Sequence, residues 1–364
     1  MSQRREIRSV YLEWAKLHSK ARFPLTGSDV VHVPLSELHV RLDDLEISAA
    51  GAYGYPPLLQ KLGEKAGVSP DCVVHAPGTS MANHLAMAAL LESGDEVLIE
   101  EPAYEPLLAV AQYLGAKVRR FPRKFEAGFQ IDPREIERAI SPRTRLIVVT
   151  NLHNPSGART PEAALRIVGE IARSIGAHVL VDEVYLEACF DAPWTSAFHL
   201  GPNFIATSSL TKAYGLTGLR CGWVLAAPNL ARRMWRLTDL FSVVPPHVAE
   251  LLSTSALERL PQLAARAHKI LSVNRALLKD FLASRGELQA IWPEAGAIAF
   301  PQMAGGRVDV FIQLLNEKYE TSVVPGRFFE APSHFRIGVG GKTEIVREAL
   351  SRVGSALDEM AARF

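Results

Sequence analysis

The chain has 364 residues, with 40 basic against 39 acidic side chains and a formal net charge of +1. No field of one sign marks it for nucleic acid or an anionic membrane, and no apolar run approaches the roughly 20 residues needed to span a bilayer. Three widely spaced cysteines, Cys72, Cys189 and Cys221, give neither a disulfide framework nor a zinc-type CxxC pair, and the basic start of the chain leads into no apolar export segment, so a cytoplasmic protein without a metal site is expected.

In chain order, Val10, Trp14 and Leu17 share one face of a helical arm, which Pro24, Gly27 and Pro34 then interrupt. A turn-rich segment at 51–57 contains Tyr53 and Tyr55 and leads into a helix from Leu58. An apolar stretch at 72–76 runs through Pro77-Gly78-Thr79-Ser80 into a helix over 81–91. A strand, a glycine turn and a hydroxyl-capped helix leave free backbone N–H groups at the helix start, where an anion can bind.

The alternation continues. Strands are expected at 96–100, 117–121, 145–150, 177–181 and 204–207, separated by helices at 104–114, 133–140 and 161–174. This pattern implies an α/β fold with a mostly parallel sheet flanked by helices, whose ligands collect beyond the carboxyl ends of the strands. Beyond about 245 the pattern changes to long helices at 248–260 and 263–285. An α+β tail follows, with candidate strands at 298–300, 308–310 and 334–339 and helices over 342–364. The expected division is an N-terminal arm over 1–50, a large domain over 51–245, and a small domain over 246–364 to which the arm contributes.

The polar residues cluster where such a sheet would place a ligand. Asn154 lies in Asn-Pro-Ser-Gly after one strand, and Asp182 and Tyr185 lie in Asp-Glu-Val-Tyr after another. Lys212 sits in Ser209-Leu210-Thr211-Lys212 after a third, eight residues before Arg220. Ser209, Thr211 and Arg220 suit a phosphate, because the hydroxyls donate singly and the guanidinium offers a planar fork. Taken singly, each motif also fits an ordinary role such as a solvated lysine or an interior ion pair; their convergence on one crevice argues for a site.

Taken together with Pro102-Ala103-Tyr104, Gly218-Leu219-Arg220-Cys221-Gly222 and Phe335-Arg336-Ile337, these motifs resemble, in order, those of the class I/II aminotransferases, pyridoxal-phosphate enzymes of fold type I. The resemblance implies that Lys212 carries the cofactor as a Schiff base, that Asp182 keeps its pyridine nitrogen protonated, and that Tyr185 and Asn154 bond its phenolic oxygen. It further implies Tyr104 against the ring, and Gly78, Thr79, Ser80, Ser209, Arg220 and Thr211 around the phosphate. Arg336 would clamp the substrate carboxylate, with Asn154 and the loop at Gly27 beside it.

Relatives of this kind usually form homodimers in which a tyrosine reaches the neighbour's phosphate, a role that falls to Tyr55 ahead of Tyr53. The expected reaction moves the amino group of an L-amino acid to a 2-oxo acid. Elimination, decarboxylation or cyclisation on the same scaffold is the alternative, and a cofactor-binding regulator a remote one. Substrate choice is expected to lie with the loop at Gly27, the segment at 241–245 and the tail, with Val243 and Val244 pointing to an apolar side-chain pocket. His153 reads as a structural histidine, and Glu183 matches no role.

Overall fold

The computed structural model describes residues 8–48 and 53–363, so Gly51 and Ala52 of the turn-rich segment lie outside it. The elements that position the site are α1 (Val10–Leu17), β1 (Phe23–Pro24), α2 (Pro56–Ala66), β2 (Val73–Pro77) and α3 (Thr79–Leu90). After them come β3 (Glu96–Glu101), α4 (Glu105–Tyr113), β4 (Lys117–Pro122), β5 (Thr144–Thr150), β6 (His178–Asp182), β7 (Phe204–Ser209) and β8 (Cys221–Leu225). Among the described residues no helix is long and apolar enough to cross a membrane.

β2 to β8 form one seven-stranded sheet in the order β2-β8-β7-β6-β5-β3-β4. All neighbours run parallel except β8, which is antiparallel to both β2 and β7. The central strands read as continuous apolar runs because both faces are covered: Leu146, Ile147, Val148 and Val149 of β5 are all fully buried. On one face α3 packs Leu85, Ala86 and Ala89 against Val97, Val148 and Leu180; on the other, Leu165, Val168 and Ala172 of helix Glu162–Ser174 meet Ile147, Val149 and Val179. The carboxyl ends of β2, β3, β5, β6 and β7 therefore open along one edge, and the antiparallel β8 begins at that same edge.

A separate apolar cluster gathers helices Leu260–Ala283, Val308–Tyr319 and Thr343–Arg363 around Phe311, Phe335 and Val353. Phe335–Gly338 pairs antiparallel with Ile298–Ala299 on one side and Val324–Pro325 on the other. β1 pairs in parallel with Thr321–Ser322, stitching the start of the chain to its C-terminal part.

Three local expectations differ from this fold. Residues 308–310 begin a helix: Val308, Phe311, Ile312 and Leu315 are the buried set, a helical spacing that outweighs the short Val-Asp-Val alternation. Helix Pro228–Thr238 and strand β8 were not anticipated, although Trp223-Val224-Leu225 is an apolar run. In α1 the buried residue is Tyr11, whereas Val10 and Leu17 are exposed.

Beneath the sheet edge lies a fully buried ion pair. Arg123 Nη1 donates to Glu100 Oε2 at 2.7 Å, while Arg123 Nε and Nη2 donate to Phe129 O at 2.6 Å and Thr160 Oγ1 at 3.1 Å. Thr150 donates to Glu100 Oε1 twice, from N at 2.7 Å and from Oγ1 at 2.6 Å. Burial still pushes the Glu100 carboxyl up against the pull of Arg123. Removing one partner leaves a buried charge alone, so Arg123→Met is expected to lower stability by about 3–5 kcal/mol. Chemical denaturation of the cofactor-free protein checks this, and an unchanged midpoint would show that the pair does not anchor this edge.

Candidate active site

A cavity of about 320 Å³ lies at this edge, reached by side chains from nearly every loop that follows a strand. At the end of β2 the chain turns through Gly78, whose φ of +81° favours glycine; a Cβ there would lie 2.2 Å from Arg220 Nη2. Gly222 is as tightly placed, its Cβ position being 2.4 Å from Gly78 C. These two glycines let the guanidinium of Arg220 lie against the N-terminus of α3, where its Nη2 donates to Pro77 O at 3.2 Å.

Thr79 Oγ1 is buried there without a partner, and the adjacent Ser80 is exposed on the cavity wall. Thr211 lines the cavity and is 2.7 Å from Ser209 through their hydroxyls, with Ser209 fully buried behind it. The α3 N-terminus, two hydroxyl-bearing side chains and an arginine make a donor-rich cradle suited to an oxyanion.

Asp182 closes β6 at the cavity floor. Its Oδ2 accepts from Asn83 Nδ2 at 2.8 Å and its Oδ1 from Val184 N at 3.1 Å, while Thr207 Oγ1 donates to Asn83 Oδ1 at 2.6 Å. Burial outweighs these bonds and pushes the Asp182 carboxyl up to about 6. Lys212 follows β7, with its Nζ 3.9 Å from Asp29 Oδ1. Tyr104, at the N-cap of α4, and the buried Tyr185 complete this part of the wall.

Arg336, from Phe335–Gly338, enters from the C-terminal part of the fold and is 1% exposed. Its Nη1 donates to Asn154 Oδ1 at 2.9 Å, its Nη2 to Tyr11 Oη at 2.8 Å, and its Nε is buried without a partner. Asn154 is set by its own N–H, which donates to Thr150 Oγ1 at 2.9 Å, so the Glu100–Arg123 pair supports Arg336 through Thr150 and Asn154. Helix α1 spans this side of the cavity, with Tyr11 edge-on to Tyr104 at 5.8 Å and Ser9 Oγ donating to Glu105.

Of the residues singled out from the sequence, Gly27, Thr79, Ser80, Tyr104, Asn154, Asp182, Tyr185, Thr211, Lys212, Arg220 and Arg336 line the cavity, and Gly78 and Ser209 stand directly behind it. Tyr55 does not line it: its N–H donates to Glu250 Oε1 at 3.0 Å and its ring stands edge-on to His247. The Tyr53 hydroxyl donates to Asp239 at 2.9 Å on the surface. Val243 and Val244 are exposed and line no part of this cavity.

His153 is a buried structural histidine between Ser156 Oγ at 2.6 Å and Pro102 O at 3.0 Å. Glu183 receives Ser196 Oγ at 2.7 Å and Ala197 N at 2.6 Å, with burial raising its carboxyl to about 8. Sequence reasoning missed Asn83, Tyr11 and Asp29. Asn83 had a signal: it is a polar residue one turn beyond Thr79 in an otherwise apolar helix face.

A family model described as aminotransferase class I and II matches residues 43–353. The arginine–pyruvate transaminase of Pseudomonas aeruginosa is 29% identical over 85% of this chain and 82% of its own length. A crystal structure of a PLP-dependent aminotransferase from Streptococcus suis superposes with a TM-score of 0.91 at 26% identity, covering 97% of this chain and 98% of that one. The PLP-dependent cyclase OrfR superposes with a TM-score of 0.88 at 26% identity, covering 99% of each chain.

Asp182 supplies a pH signature. A carboxyl raised from 3.8 to about 6 favours the protein at pH below its ordinary value, and that contribution is lost as pH rises through about 6. The ionised form therefore costs the cofactor-free protein about 3 kcal/mol at pH 8. Asp182→Asn is expected to be more stable than the parent in cofactor-free form at pH 8, with the gap narrowing as pH falls from 6 towards 4. Thermal melts across that range check it; a gap independent of pH would mean that Asp182 is not strained by burial.

Proposed function

This chain belongs to the class I and II aminotransferases, and from that membership we propose how its residues divide the work of a pyridoxal-phosphate-dependent amino transfer between an amino acid and a 2-oxo acid. The observation that carries the assignment is that Lys212, Asp182, Arg336 and the Arg220–α3 cradle all line one cavity.

The residues fit the cofactor on physical grounds. Gly78 and Gly222 let Arg220 and the start of α3 come together, since a Cβ on Gly78 would strike the guanidinium and one on Gly222 the Gly78 backbone, and Thr79 Oγ1 and Arg336 Nε are buried with no partner among the described residues. One anion at each end of the cavity would satisfy them. The α3 N-terminus, Ser80, Thr211 and Arg220 would hold the phosphate, with Ser209 behind Thr211. Tyr104 would supply an aromatic face, and Tyr185 and the amide of Asn154 would donate to the phenolic oxygen. Asn154 Oδ1 already accepts from Arg336, which leaves its Nδ2 free for that task. Lys212 Nζ is the amine that would bond the cofactor.

When bound, pyridoxal phosphate supplies an electron sink for the pair left at the amino acid Cα. Asp182, oriented by Asn83, would keep a proton on the ring nitrogen, and its burial would strengthen that charge pair. Arg336 binds the substrate carboxylate and so fixes which bond at Cα is held for cleavage. Lys212 Nζ would take the proton from Cα and deliver it to the far side of the substrate nitrogen, acting first as base and then as acid. Tyr11 and the rest of α1 cover the clamp and keep water from it.

The likeness to a cyclase over 99% of the chain favours a second reading, intramolecular ring closure on the same site. In that case the cofactor would not remain aminated.

The assembly is proposed to be a cytoplasmic homodimer. Leu240, Phe241, Val243, Val244 and Tyr113 are exposed apolar side chains on one side of the large sheet, with His84 between Tyr113 and Phe241. Exposed apolar and aromatic side chains gathered in this way suit a protein–protein contact. The three free cysteines are all buried, in keeping with a reducing compartment. Phe241→Glu is expected to produce monomers in sedimentation, and a parent enzyme that sediments as an active monomer would overturn the dimer.

Lys212→Ala is expected to abolish turnover, by at least about a thousandfold, while cofactor stays bound without a covalent link. Normal turnover in that variant would remove Lys212 from its role. Arg336→Ala is expected to raise KM for the amino donor about a hundredfold, as for loss of a charge-assisted pair. For the reaction itself, amino acids are added singly to the holoenzyme without an oxo acid. Loss of the visible cofactor band, and its return with a 2-oxo acid, is expected of amino transfer; product release with the band unchanged is expected of ring closure.

A further inference from the structure

Among the described residues the cavity lining carries five charged side chains: Asp29, Asp182, Lys212, Arg220 and Arg336. Four have work in amino transfer and Asp29 has none. Its carboxylate accepts no hydrogen bond among those residues, and the ion pair it makes there, to Lys212 Nζ, is long at 3.9 Å. Building on the amino-transfer reading, we infer that Asp29 selects amino donors whose side chain is a cation, an ammonium or a guanidinium.

The position is built into the fold. Val30 N donates to Lys212 O at 2.9 Å and Val31 N to Gly340 O at 2.8 Å, so the backbone on the C-terminal side of Asp29 is pinned to the lysine loop and to the end of Phe335–Gly338. Gly338 and Gly340 let it approach, since a Cβ on Gly340 would lie 2.0 Å from Asp29 O. Three residues before Asp29, the Thr26 carbonyl contacts Arg336 Nη2 at 3.4 Å. Asp29 therefore lies between the reacting amine and the carboxylate clamp, on a segment that cannot swing away.

Charge and surface then decide the class of side chain. With Lys212 Nζ engaged by the cofactor, its long pair to Asp29 would be weakened, and the Asp29 carboxylate, which lines the cavity, would be open to a substrate group. A dicarboxylic donor would need a second cation beyond the clamp, and Arg220 is committed to the phosphate cradle, so its distal carboxylate would meet Asp29 instead. A neutral donor would leave Asp29 unpaired in a partly desolvated wall, at a cost. A cationic donor answers both constraints, and Tyr11, Leu12, Trp14 and Ala15 offer an apolar and aromatic surface for its alkyl stem.

The test uses holoenzyme titrated with arginine, with citrulline as its neutral isostere, and with glutamate; the shift of the cofactor band reads binding and its loss reads amination. Arginine is expected to bind and react about ten- to a hundredfold better than citrulline, with glutamate weakest. Asp29→Asn is expected to bring the arginine-to-citrulline ratio of kcat/KM close to one, and Asp29→Glu to restore part of it. Equal handling of arginine and citrulline by the parent overturns the inference. So does an equal loss on both donors in Asp29→Asn, which would show that Asp29 acts only through the proton on Lys212. Binding of arginine ahead of citrulline without any amination would instead sink the amino-transfer reading and leave the selection by Asp29 standing, because the two are read from separate signals.

Discussion

The arrangement depends on charge that is buried before any ligand arrives. Asp182 and Arg336 are both withdrawn from water, one at the floor and one at the roof of a single cavity, and among the described residues neither has an opposite charge in contact. Isolated buried charge is expensive, so the fold supports each with neutral groups. Asp182 has Asn83, in turn fixed by Thr207; Arg336 has Asn154 and Tyr11, and Asn154 is fixed by Thr150. The supports orient the charges without neutralising them. What is left for a ligand is the strong interaction, already aimed, which is the condition for electrostatic preorganisation.

The supports explain why the sheet edge is organised as it is. Thr150 donates to the buried Glu100 and accepts from Asn154, so the same hydroxyl that ties β5 to the Glu100–Arg123 pair also sets the residue that bonds Arg336. The core of the large sheet and the Arg336 end of the cavity are thereby mechanically one. Asn83 plays the matching part on the other side: it stands on α3, whose N-terminus belongs to the anion cradle, and it reaches across to β6 and β7. Packing, cradle and floor share one helix.

Much of this was legible in the sequence, and the reason differs by residue. The βα alternation was plain because parallel strands buried on both faces leave continuous apolar runs, and β5 is one such run. Lys212, Asp182, Asn154 and Arg220 were visible because they sit at strand ends, next to the glycine and proline turns that punctuate the chain. Asp29 was missed because it has no local signal at all. Its meaning comes from Lys212 and Gly340, which lie far along the chain and touch its neighbours only after folding. Tyr11 was missed because it falls in a short helix with hydrophobic residues on several sides, where periodicity cannot say which side will be covered. The helix at 308–319 was misread from three residues, a window too short to separate a period of 2 from one of 3.6.

The contact between Tyr11 and Arg336 joins the N-terminal helix to the C-terminal part of the fold at the cavity wall. A guanidinium offers five N–H donors, and here they are unequally committed. Nη1 serves Asn154, Nη2 serves Tyr11 and approaches the Thr26 carbonyl, and Nε serves nothing. A carboxylate approaching as a fork needs two parallel donors. On the proposed reading it would take Nε together with a second N–H, and Tyr11 would either keep its bond to Nη2 beside the incoming group or yield it. The same end of helix α1 is held by its N-cap Ser9, which donates to Glu105 at the start of α4, next to Tyr104. Tyr11, Tyr104 and Arg336 thus form one connected wall, so on the proposed reading a carboxylate bound at Arg336 would also be felt at Tyr11 and, through it, at Tyr104.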